Sequence, residues 1–365
     1  MDMSNYQISP AFSSGQTNAI VLAINNSYTQ YCAATIQSLI EHSKPDVYYD
    51  VIVFEKDVTD RNKKLLNSIV PDNFSLRFFN VSSVIYEFLG NTNLKTIGYV
   101  SVESYYRLLI PIVMRKYERV LYLDSDICIN SSIHELFEKD IAPNQIAGVL
   151  DTISQALPSY PKIYRHFREA LKLKNPEKYF NSGLVLFDIG SINENEYLNN
   201  VLTALKIKKL IFNDQDVFNV VFQDKIFWYP SKFNTQIGAL VLLDKVSNED
   251  YRKDYLSALN NPIVLHYTGE RKPWDDPQGE LSEVFWRYER KTPFYEECLL
   301  SSVHRNYVTQ TQLKNLNSRF GIYFRYWFYK LLTQFSSGES KKEFEKRLAK
   351  YWEKVLDIRK YSNYK

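Results

Sequence analysis

Short apolar runs alternate with longer amphipathic stretches over the first part of the chain. Ala19–Ile24 is a compact apolar run, as buried strands usually are, and the next two strands are predicted at Val51–Phe54 and near Leu76–Phe79. From about Gln30 to His42 apolar residues recur at helical spacing, and a more polar stretch around Leu65–Ile69 follows the same period. Strands that alternate with helices predict an α/β fold with a mainly parallel, Rossmann-like sheet flanked by helices.

The alternation continues through the middle of the chain. We predict a helix from about Val102 to Met114 and a strand at Val120–Leu123. Gly183–Ile189 and Ile263–His266 have the composition of buried strands, and Asp214–Phe222 is typical of a helix that begins with acidic residues. Ligands of open α/β sheets bind outside the carboxyl ends of the strands, so polar residues that directly follow a strand are the first candidates for a binding site.

The last part of the chain has a different pattern. Aromatic residues crowd Phe320–Leu332, and Phe344–Val355 repeats apolar residues at three- and four-residue spacing opposite a face of Lys, Arg and Glu. Residues 301–365 carry 14 Lys and Arg against 5 Asp and Glu, although the net charge of the whole chain is only +3. We therefore predict an α/β domain over residues 1–280 and a basic, aromatic, helical extension over residues 281–365.

Charge and interfacial aromatics also bear on where the protein is found. Residues 318–365 predict reversible contact with an anionic membrane surface, and packing of their aromatics on the first domain is the alternative. The start of the chain lacks the pattern of a signal peptide, and no run of about 18 apolar residues predicts a membrane span. Cys32, Cys128 and Cys298 lie far apart without a zinc spacing. We expect a cytoplasmic protein whose extension contacts the inner face of the cell membrane, and no nucleic-acid partner.

Two carboxylates, Asp124 and Asp126, directly follow the predicted strand Val120–Leu123. Side chains alternate along a strand, so positions i and i+2 share a face and both acids can point to the same side. Two hard oxygen ligands can hold a divalent cation, and such a cation bridges the diphosphate of a nucleotide donor. A capped, solvated turn is the alternative interpretation of this motif.

A second candidate segment starts at the end of the predicted strand Ile263–His266. His266 is followed by Gly269, which allows close backbone approach, and by Lys272, which can meet a phosphate. Imidazole is a favoured ligand of manganese beside carboxylates, although a lone histidine at a strand end is usually structural.

Three further features are ambiguous by themselves. Asp214 and Asp216 at a helix start are explained by capping, and Asn181 by a turn. Arg107, in a mainly apolar helix, is either a core arginine paired with a carboxylate or a cation that faces a diphosphate.

Taken together, these segments resemble glycosyltransferase family 8, the retaining hexosyltransferases that include glycogenin and bacterial lipopolysaccharide and adhesin enzymes. The resemblance covers about residues 18–275, and its motifs follow one another in the family's order. They are Ser-Tyr-Tyr-Arg at 104–107, Leu-Tyr-Leu-Asp-Ser-Asp at 121–126, Phe-Asn-Ser-Gly at 180–183, Asn-Asp-Gln-Asp at 213–216, and the segment from His266 to Trp274.

The resemblance implies a nucleotide-sugar-binding fold of the GT-A type, in which residues 1–280 are catalytic. It also implies Mn²⁺, or Mg²⁺ in its place, bound by Asp124, Asp126 and His266. Residues implied to bind the UDP-sugar donor are Ala23, Asn25 and Tyr28 at the uridine, Ser125 beside the two carboxylates, and Gly269 and Lys272 at the diphosphate. Residues implied to surround the transferred sugar are Arg107, Asp151, Asn181, Asp214 and Gln215. Members of the family often have Asp where this chain has Asn25.

The activity that the resemblance implies is transfer of a hexose with retention of its anomeric configuration. The donor would be UDP-galactose or, in second place, UDP-glucose, and the acceptor a glycan of a bacterial glycoprotein or lipooligosaccharide. Retention needs either a covalent intermediate or attack on the face from which the leaving group departs. Gln215 stands where a nucleophile would act, and an amide is a poor nucleophile, so same-face attack is favoured. Asp216 and Asp151 are the fallback nucleophiles.

Two other classes of protein remain alternatives at this point. A nucleotidyltransferase has a similar sheet and carboxylate pair, but the segment after the first strand, Asn25–Tyr28, lacks the Gly and basic residues that such an enzyme would carry there. An inactive sugar-binding module is the other alternative, and the presence of all three predicted metal ligands argues against it.

Overall fold

The computed structural model describes residues 4–89, 102–305, 321, 326–331, 333 and 338–362. It forms two compact units, the first ending at Leu299 and the second beginning at Leu300. The predicted division at residue 280 stays a prediction, and the helix that follows it, Ser282–Glu289, contacts the first long helix, Thr29–Glu41. Parts of the predicted membrane-binding segment 318–365 lie outside the described residues.

A seven-stranded sheet forms the centre of the first unit, in the order β3-β2-β1-β4-β7-β6-β8. All neighbouring pairs are parallel except those of β7, which runs antiparallel to both β4 and β6. The predicted α/β fold with a mainly parallel sheet is therefore confirmed. The strands are β1 Thr17–Ala23, β2 Tyr48–Glu55, β3 Phe74–Asn80, β4 Arg119–Leu123, β6 Ile146–Leu150, β7 Phe180–Asp188 and β8 Ile226–Trp228.

Successive side chains of the central strands enter opposite layers of the core, because neighbouring positions in a strand point to opposite faces. Val21 and Tyr122 pack in one layer, whereas Ile20, Leu22 and Leu121 pack in the other. Both faces are therefore covered, as parallel sheets require. The register pairs Val21 with Tyr122, so the carboxyl ends of β1 and β4 lie side by side.

Helices cover both faces of the sheet. They are α1 Thr29–Glu41, α2 Asp60–Asn67, α3 Ser82–Leu89, α4 Ile110–Val113, α5 His134–Glu138, α6 Thr152–Gln155, α7 Pro161–Arg165, α8 Glu194–Ala204, α9 Asp214–Val221, α10 Glu249–Asn260 and α11 Ser282–Glu289. Helix α1 agrees with its prediction to within one residue at each end, because its buried residues keep the helical period. Residues 295–305 are also helical.

The segment predicted as a helix from about Val102 to Met114 is helical as far as Val113, but in two forms. The chain forms a 3₁₀ helix over Val102–Leu109 and then the single α-helical turn α4. Pro111 lies in the first turn of α4, where its missing N–H would have had no partner within the helix in any case. This favours a new helix start at that point rather than continuation of one helix.

A second sheet of three short strands, in the order β5-β10-β9, lies in the same unit. It consists of β5 Ile127–Ile129, β9 Thr235–Gln236 and β10 Val264–His266. The antiparallel register pairs His266 with Ile127, the residue directly after Asp126. The strand predicted at Ile263–His266 is thus confirmed, although it belongs to this small sheet rather than to the central one.

The second unit contains a long helix, Gly338–Ser362, which confirms the helix predicted there. Within this unit Tyr329 stacks on Tyr351 with ring centres 5.6 Å apart, and Tyr326 contacts Trp352. Trp327 is 60% exposed, and Phe328 and Leu331 are also exposed. Among the described residues no helix is both long enough and apolar enough to cross a membrane.

Candidate active site

A cleft of about 480 Å³ opens at the carboxyl end of the central sheet. The structure brings most of the predicted site residues together in its walls. Those residues are Arg107, Asp124, Asp126, Asp151, Asn181, Asp214, Gln215, His266, Gly269 and Lys272. The cleft therefore joins six separate segments of the sequence.

Asp124, Asp126 and His266 form one cluster whose ligand atoms all lie within 4.8 Å of one another. His266 Nε2 is 3.3 Å from Asp126 Oδ1 and 3.6 Å from Asp124 Oδ2. Asp126 Oδ1 is buried and has no hydrogen-bond partner among the described residues. An unpartnered buried carboxylate oxygen is costly unless a cation or water satisfies it. These three residues therefore fit a divalent cation of the Mn²⁺ or Mg²⁺ type, for which carboxylate oxygens and imidazole are suitable ligands.

Gly183 makes room for this cluster. A Cβ atom at this position would lie 2.2 Å from His266 Cε1 and 2.7 Å from Asp124 Oδ2. The backbone carbonyl of Gly183 also accepts a hydrogen bond from the Asp124 N–H at 2.8 Å. The glycine of the predicted Phe-Asn-Ser-Gly motif is thus explained by the close approach of two ligand side chains.

Arg107 is buried at the floor of the cleft. Its guanidinium contacts Asp124 Oδ1 at 2.8 Å and Asp214 Oδ2 at 3.1 Å, and it donates to the Ser182 carbonyl at 2.6 Å. Burial alone would lower the pKa of Arg107, but the two carboxylates outweigh it and raise that pKa above its usual value. Arg107 is therefore paired with carboxylates and also lines the cleft, and a role facing a diphosphate stays a prediction.

Lys272 directly contacts the cluster of Asp124, Asp126 and His266. Its ammonium lies 2.5 Å from Asp126 Oδ2 and 2.6 Å from the Tyr267 carbonyl. Burial favours the neutral acid, but Lys272 and His266 together lower the pKa of Asp126 well below its usual value. Gly269 has a φ of +82°, and a Cβ there would meet no atom within 4 Å, so this glycine serves the backbone turn rather than close packing.

Asp151, Asn181 and Gln215 are fixed by one another. Asp151 Oδ2 accepts hydrogen bonds from Asn181 Nδ2 and from Gln215 Nε2, both at 3.0 Å. Gln215 Oε1 in turn accepts from the Ser182 N–H at 3.0 Å. Asp214 accepts from the Ser182 hydroxyl, and its burial raises its pKa although Arg107 opposes that rise. This side of the cleft is therefore a connected polar surface.

Asp216 does not line the cleft. Its carboxylate is fully buried and accepts hydrogen bonds from the Tyr179 hydroxyl and from the backbone N–H groups of Ile211 and Phe212, and it pairs with His166 at 2.8 Å. The side chain thus fixes the segment before α9. Its position gives no support to the fallback nucleophile role that the sequence suggested.

The residues expected at the uridine lie beside the cleft rather than in its walls. Ala23 ends β1, and Asn25 Oδ1 accepts hydrogen bonds from the Tyr28 N–H and the Ser27 hydroxyl. Tyr28 packs edge-on against Trp274, and its pKa is raised by burial and then by Asp126 and Asp124. The Ser125 carbonyl accepts a hydrogen bond from the Thr35 hydroxyl at 3.1 Å.

Several residues in and behind the cleft have no clear signal in the sequence. Asn234 contacts His266 Nδ1 at 2.8 Å but belongs to no recognisable motif. A Cβ on Gly238 would lie 2.1 Å from the Thr268 carbonyl, so this glycine allows two cleft loops to touch. Unpredicted apolar residues also line one wall, namely Ile153, Ile211, Phe212, Ala239 and Leu242.

The order of the strands, the helices on both faces and the acids at the end of β4 define a GT-A fold, the fold of nucleotide-sugar transferases. The family described as Glycosyl transferase family 8 matches residues 19–278. The chain belongs to this family. It is therefore a glycosyltransferase that uses a nucleotide-sugar donor and an acceptor glycan.

Individual relatives agree with this membership. General stress protein A of Bacillus subtilis is 24% identical over 70% of this chain and 87% of its own length. Glycosyltransferase GlyF of Streptococcus pneumoniae is 26% identical over 74% of this chain and 61% of its own. The lipopolysaccharide 1,3-galactosyltransferase of Salmonella typhimurium is 27% identical over 58% of this chain and 59% of its own.

Solved structures give the same fold. The WbbM bifunctional glycosyltransferase superposes with a TM-score of 0.72 at 26% identity, over 81% of this chain and 53% of that one. The galactosyltransferase LgtC, solved with donor and acceptor sugar analogues, gives 0.61 at 20% identity, over 75% of this chain and 96% of that one. These structures confirm the predicted GT-A fold, and the match over residues 19–278 confirms the predicted family.

Proposed function

We propose that the chain transfers a hexose from a UDP-sugar to an acceptor glycan of a bacterial glycoprotein or lipooligosaccharide, with retention of configuration and with Mn²⁺ or Mg²⁺. UDP-galactose is our first choice of donor and UDP-glucose the second. One observation carries the proposal: two carboxylates and an imidazole converge in a cleft that also holds Arg107 and Lys272, and a buried oxygen of Asp126 has no hydrogen bond among the described residues. Relatives named as lipopolysaccharide galactosyl- and glucosyltransferases support the choice of substrates.

The metal-binding role falls to Asp124, Asp126 and His266. A divalent cation held there supplies positive charge against the departing diphosphate. Lys272 exchanges its contact with Asp126 for a phosphate oxygen of the donor, and Gly269 allows the backbone to approach that phosphate. Ala23, Asn25, Tyr28 and Ser125 bind the nucleoside part of the donor.

The transferred sugar lies on the polar surface formed by Asp151, Asn181, Asp214 and Gln215. These side chains are already hydrogen-bonded to one another, so they present a fixed set of donors and acceptors to the sugar hydroxyls. Arg107 keeps Asp214 and Asp124 in place. Preorganised groups of this kind need little rearrangement when charge develops on the sugar.

We favour same-face attack for the chemical step. The bond from the anomeric carbon to the phosphate oxygen breaks while the bond to the acceptor oxygen forms on the same face, and the acceptor proton passes to that phosphate oxygen. Asp151 is a weak candidate for a nucleophile because two amide groups already hold its Oδ2. A kinetically competent sugar adduct on Asp151 would show double displacement instead.

The apolar wall of the cleft is our choice for the acceptor side. Sugar rings have apolar faces of C–H groups that pack on residues such as Ile153, Phe212 and Leu242.

We also propose that the basic, aromatic extension brings the enzyme to the inner face of the cell membrane. Binding of the full chain to anionic but not neutral vesicles, weakened by salt, is the expected result.

The test of the activity is release of UDP from a panel of UDP-sugars with Mn²⁺, first without and then with lipooligosaccharide acceptors. We expect turnover with one UDP-hexose and none after chelation. The matched variants are Asp126→Asn, which should be inactive, and Asp224→Asn, which changes an exposed acid paired with Lys174 and should behave as the wild type. If a folded wild-type protein binds UDP-hexose but never releases UDP, the inactive sugar-binding module replaces the enzyme.

A further inference from the structure

Asn234 lies between the metal-ligand cluster and the sugar-binding surface. It is 1% exposed, and its Oδ1 is 2.8 Å from His266 Nδ1. Its Nδ2 is 3.0 Å from Asn181 Oδ1. Asn181 then reaches Asp151, which also accepts from Gln215, so one line of hydrogen bonds joins His266 to the sugar side.

The direction of these hydrogen bonds follows from their fixed ends. The Gly183 N–H can only donate, and it lies 3.0 Å from Asn181 Oδ1, so that oxygen accepts and Asn181 Nδ2 donates to Asp151 Oδ2. The amide of Asn181 is therefore oriented with its oxygen toward Asn234. Asn234 must present its NH₂ group to that oxygen and its own oxygen to His266.

The orientation of Asn234 decides which nitrogen of His266 carries the proton. An amide oxygen accepts and cannot donate, so Nδ1 of His266 must hold a hydrogen to make this contact. In the neutral ring Nε2 is then bare, and Nε2 is the atom that faces Asp124 and Asp126. A metal-ligating nitrogen needs a free electron pair, which this tautomer supplies.

We propose that Asn234 is a positioning residue that holds His266 in its Nδ1–H form and couples metal binding to the geometry of the sugar-binding surface. This inference rests on the proposed metal site. The coupling runs through Asn181, which would have to shift if Asn234 moved with the imidazole. Sequence reasoning gives no sign of it, because a single Asn in Phe233–Thr235 has no motif around it.

The test compares three variants of the full chain. Asn234→Ala removes both hydrogen bonds, whereas Asn234→Asp keeps an acceptor for His266 Nδ1–H and loses the donor to Asn181. The matched control is Asn18→Ala, because Asn18 is an equally buried Asn that contacts a different histidine, His134, at 3.3 Å. Thermal unfolding shows which variants are folded.

Binding of Mn²⁺ without nucleotide, followed by electron paramagnetic resonance, is the first readout. We expect Asn234→Ala to weaken binding about 10- to 100-fold. Asn234→Asp should stay within about threefold of the wild type while its sugar-transfer rate still falls about tenfold, and Asn18→Ala should bind as the wild type. Equal Mn²⁺ affinity in Asn234→Ala and the wild type, or no recovery in Asn234→Asp, would overturn the inference.

The second readout is the tautomer itself, from ¹⁵N shifts of the five histidines, with the His266 signals assigned by their loss in His266→Gln. We expect Nδ1–H in the wild type and the solution-preferred Nε2–H form in Asn234→Ala. A bare Nδ1 in wild-type His266 would refute the inference even where Asn234→Ala does not fold. Absence of Mn²⁺ binding in the wild type would instead refute the proposed metal site.

Discussion

Two pairs of aspartates with the same spacing have different surroundings in this protein. Asp124 and Asp126 follow a strand, and both line the cleft. Asp214 and Asp216 begin a helix, where residues two apart point in different directions, so Asp214 lines the cleft and Asp216 points into the core. An Asp-x-Asp spacing therefore predicts a shared site only when its secondary structure is known.

The two pairs also differ in how many of their oxygens are already used. The Asp216 carboxylate has four partners, whereas Asp126 keeps one buried oxygen without a hydrogen bond among the described residues. A saturated carboxylate stabilises the fold, and an unsaturated one can take up a ligand. Substitution of these carboxylates and of their neighbours should separate the two kinds by their effects on turnover and on stability.

Asp126→Asn should abolish sugar transfer while the protein stays folded. Loss of one ligand and of its charge should lower the rate at least about 1,000-fold, about 4 kcal/mol in activation free energy. UDP release and thermal unfolding measure the two effects. Near-normal turnover in the folded variant would show that Asp126 does not bind the metal.

Asp216→Asn should do the opposite. An amide cannot accept from all four partners, and removing a buried, paired charge should lower the free energy of unfolding by about 3 kcal/mol or more. Urea unfolding measures the loss. The rate of sugar transfer per folded molecule should change little. A large fall in that rate at unchanged stability would show that Asp216 has a catalytic role.

Glu289 is a carboxyl group whose burial makes its charged form unfavourable. Burial raises its pKa to about 8, and Thr292 and Cys298 offset that rise only in part. Between its ordinary pKa near 4.5 and about 8 the folded state keeps a proton that the unfolded state has lost, so stability should fall as pH rises, by up to about 1.4 kcal/mol per pH unit. Glu289→Gln should flatten this dependence in unfolding measured from pH 5 to 8. If the dependence of stability on pH is the same in Glu289→Gln as in the wild type, Glu289 is not the group whose raised pKa causes it.

Lys272→Met should have the smallest effect. It removes the cation that contacts Asp126, so Mn²⁺ should bind a few-fold more tightly without nucleotide, while the KM for UDP-sugar should rise about tenfold, about 1.4 kcal/mol. Lys291→Met, at an exposed pair with Glu41, is the control. If the KM does not change, Lys272 has no role at the diphosphate.

The sequence predicted those helices and strands in which the spacing of apolar residues is regular from end to end. α1 and β4 appear within a residue of their predicted ends, because their apolar period is unbroken. The antiparallel direction of β7 could not be predicted, because the apolar run in its second half indicates that the strand is buried but not which strands it pairs with. Within the site, the candidate metal ligands could be recognised from their motifs. The buried position of Asp216 could not, because it depends on the segment before α9, whose sequence shows no regular spacing of apolar residues.

The short strand β10 has a consequence for how the enzyme forms. It carries His266 and pairs with β5, which was completed much earlier in the chain. By Trp228 every strand of the large sheet has been synthesised, yet no imidazole stands beside the two aspartates until β10 docks. Contacts between such distant segments form slowly. The three residues of this cluster can therefore come together only after His266 has been synthesised, later than every strand of the large sheet.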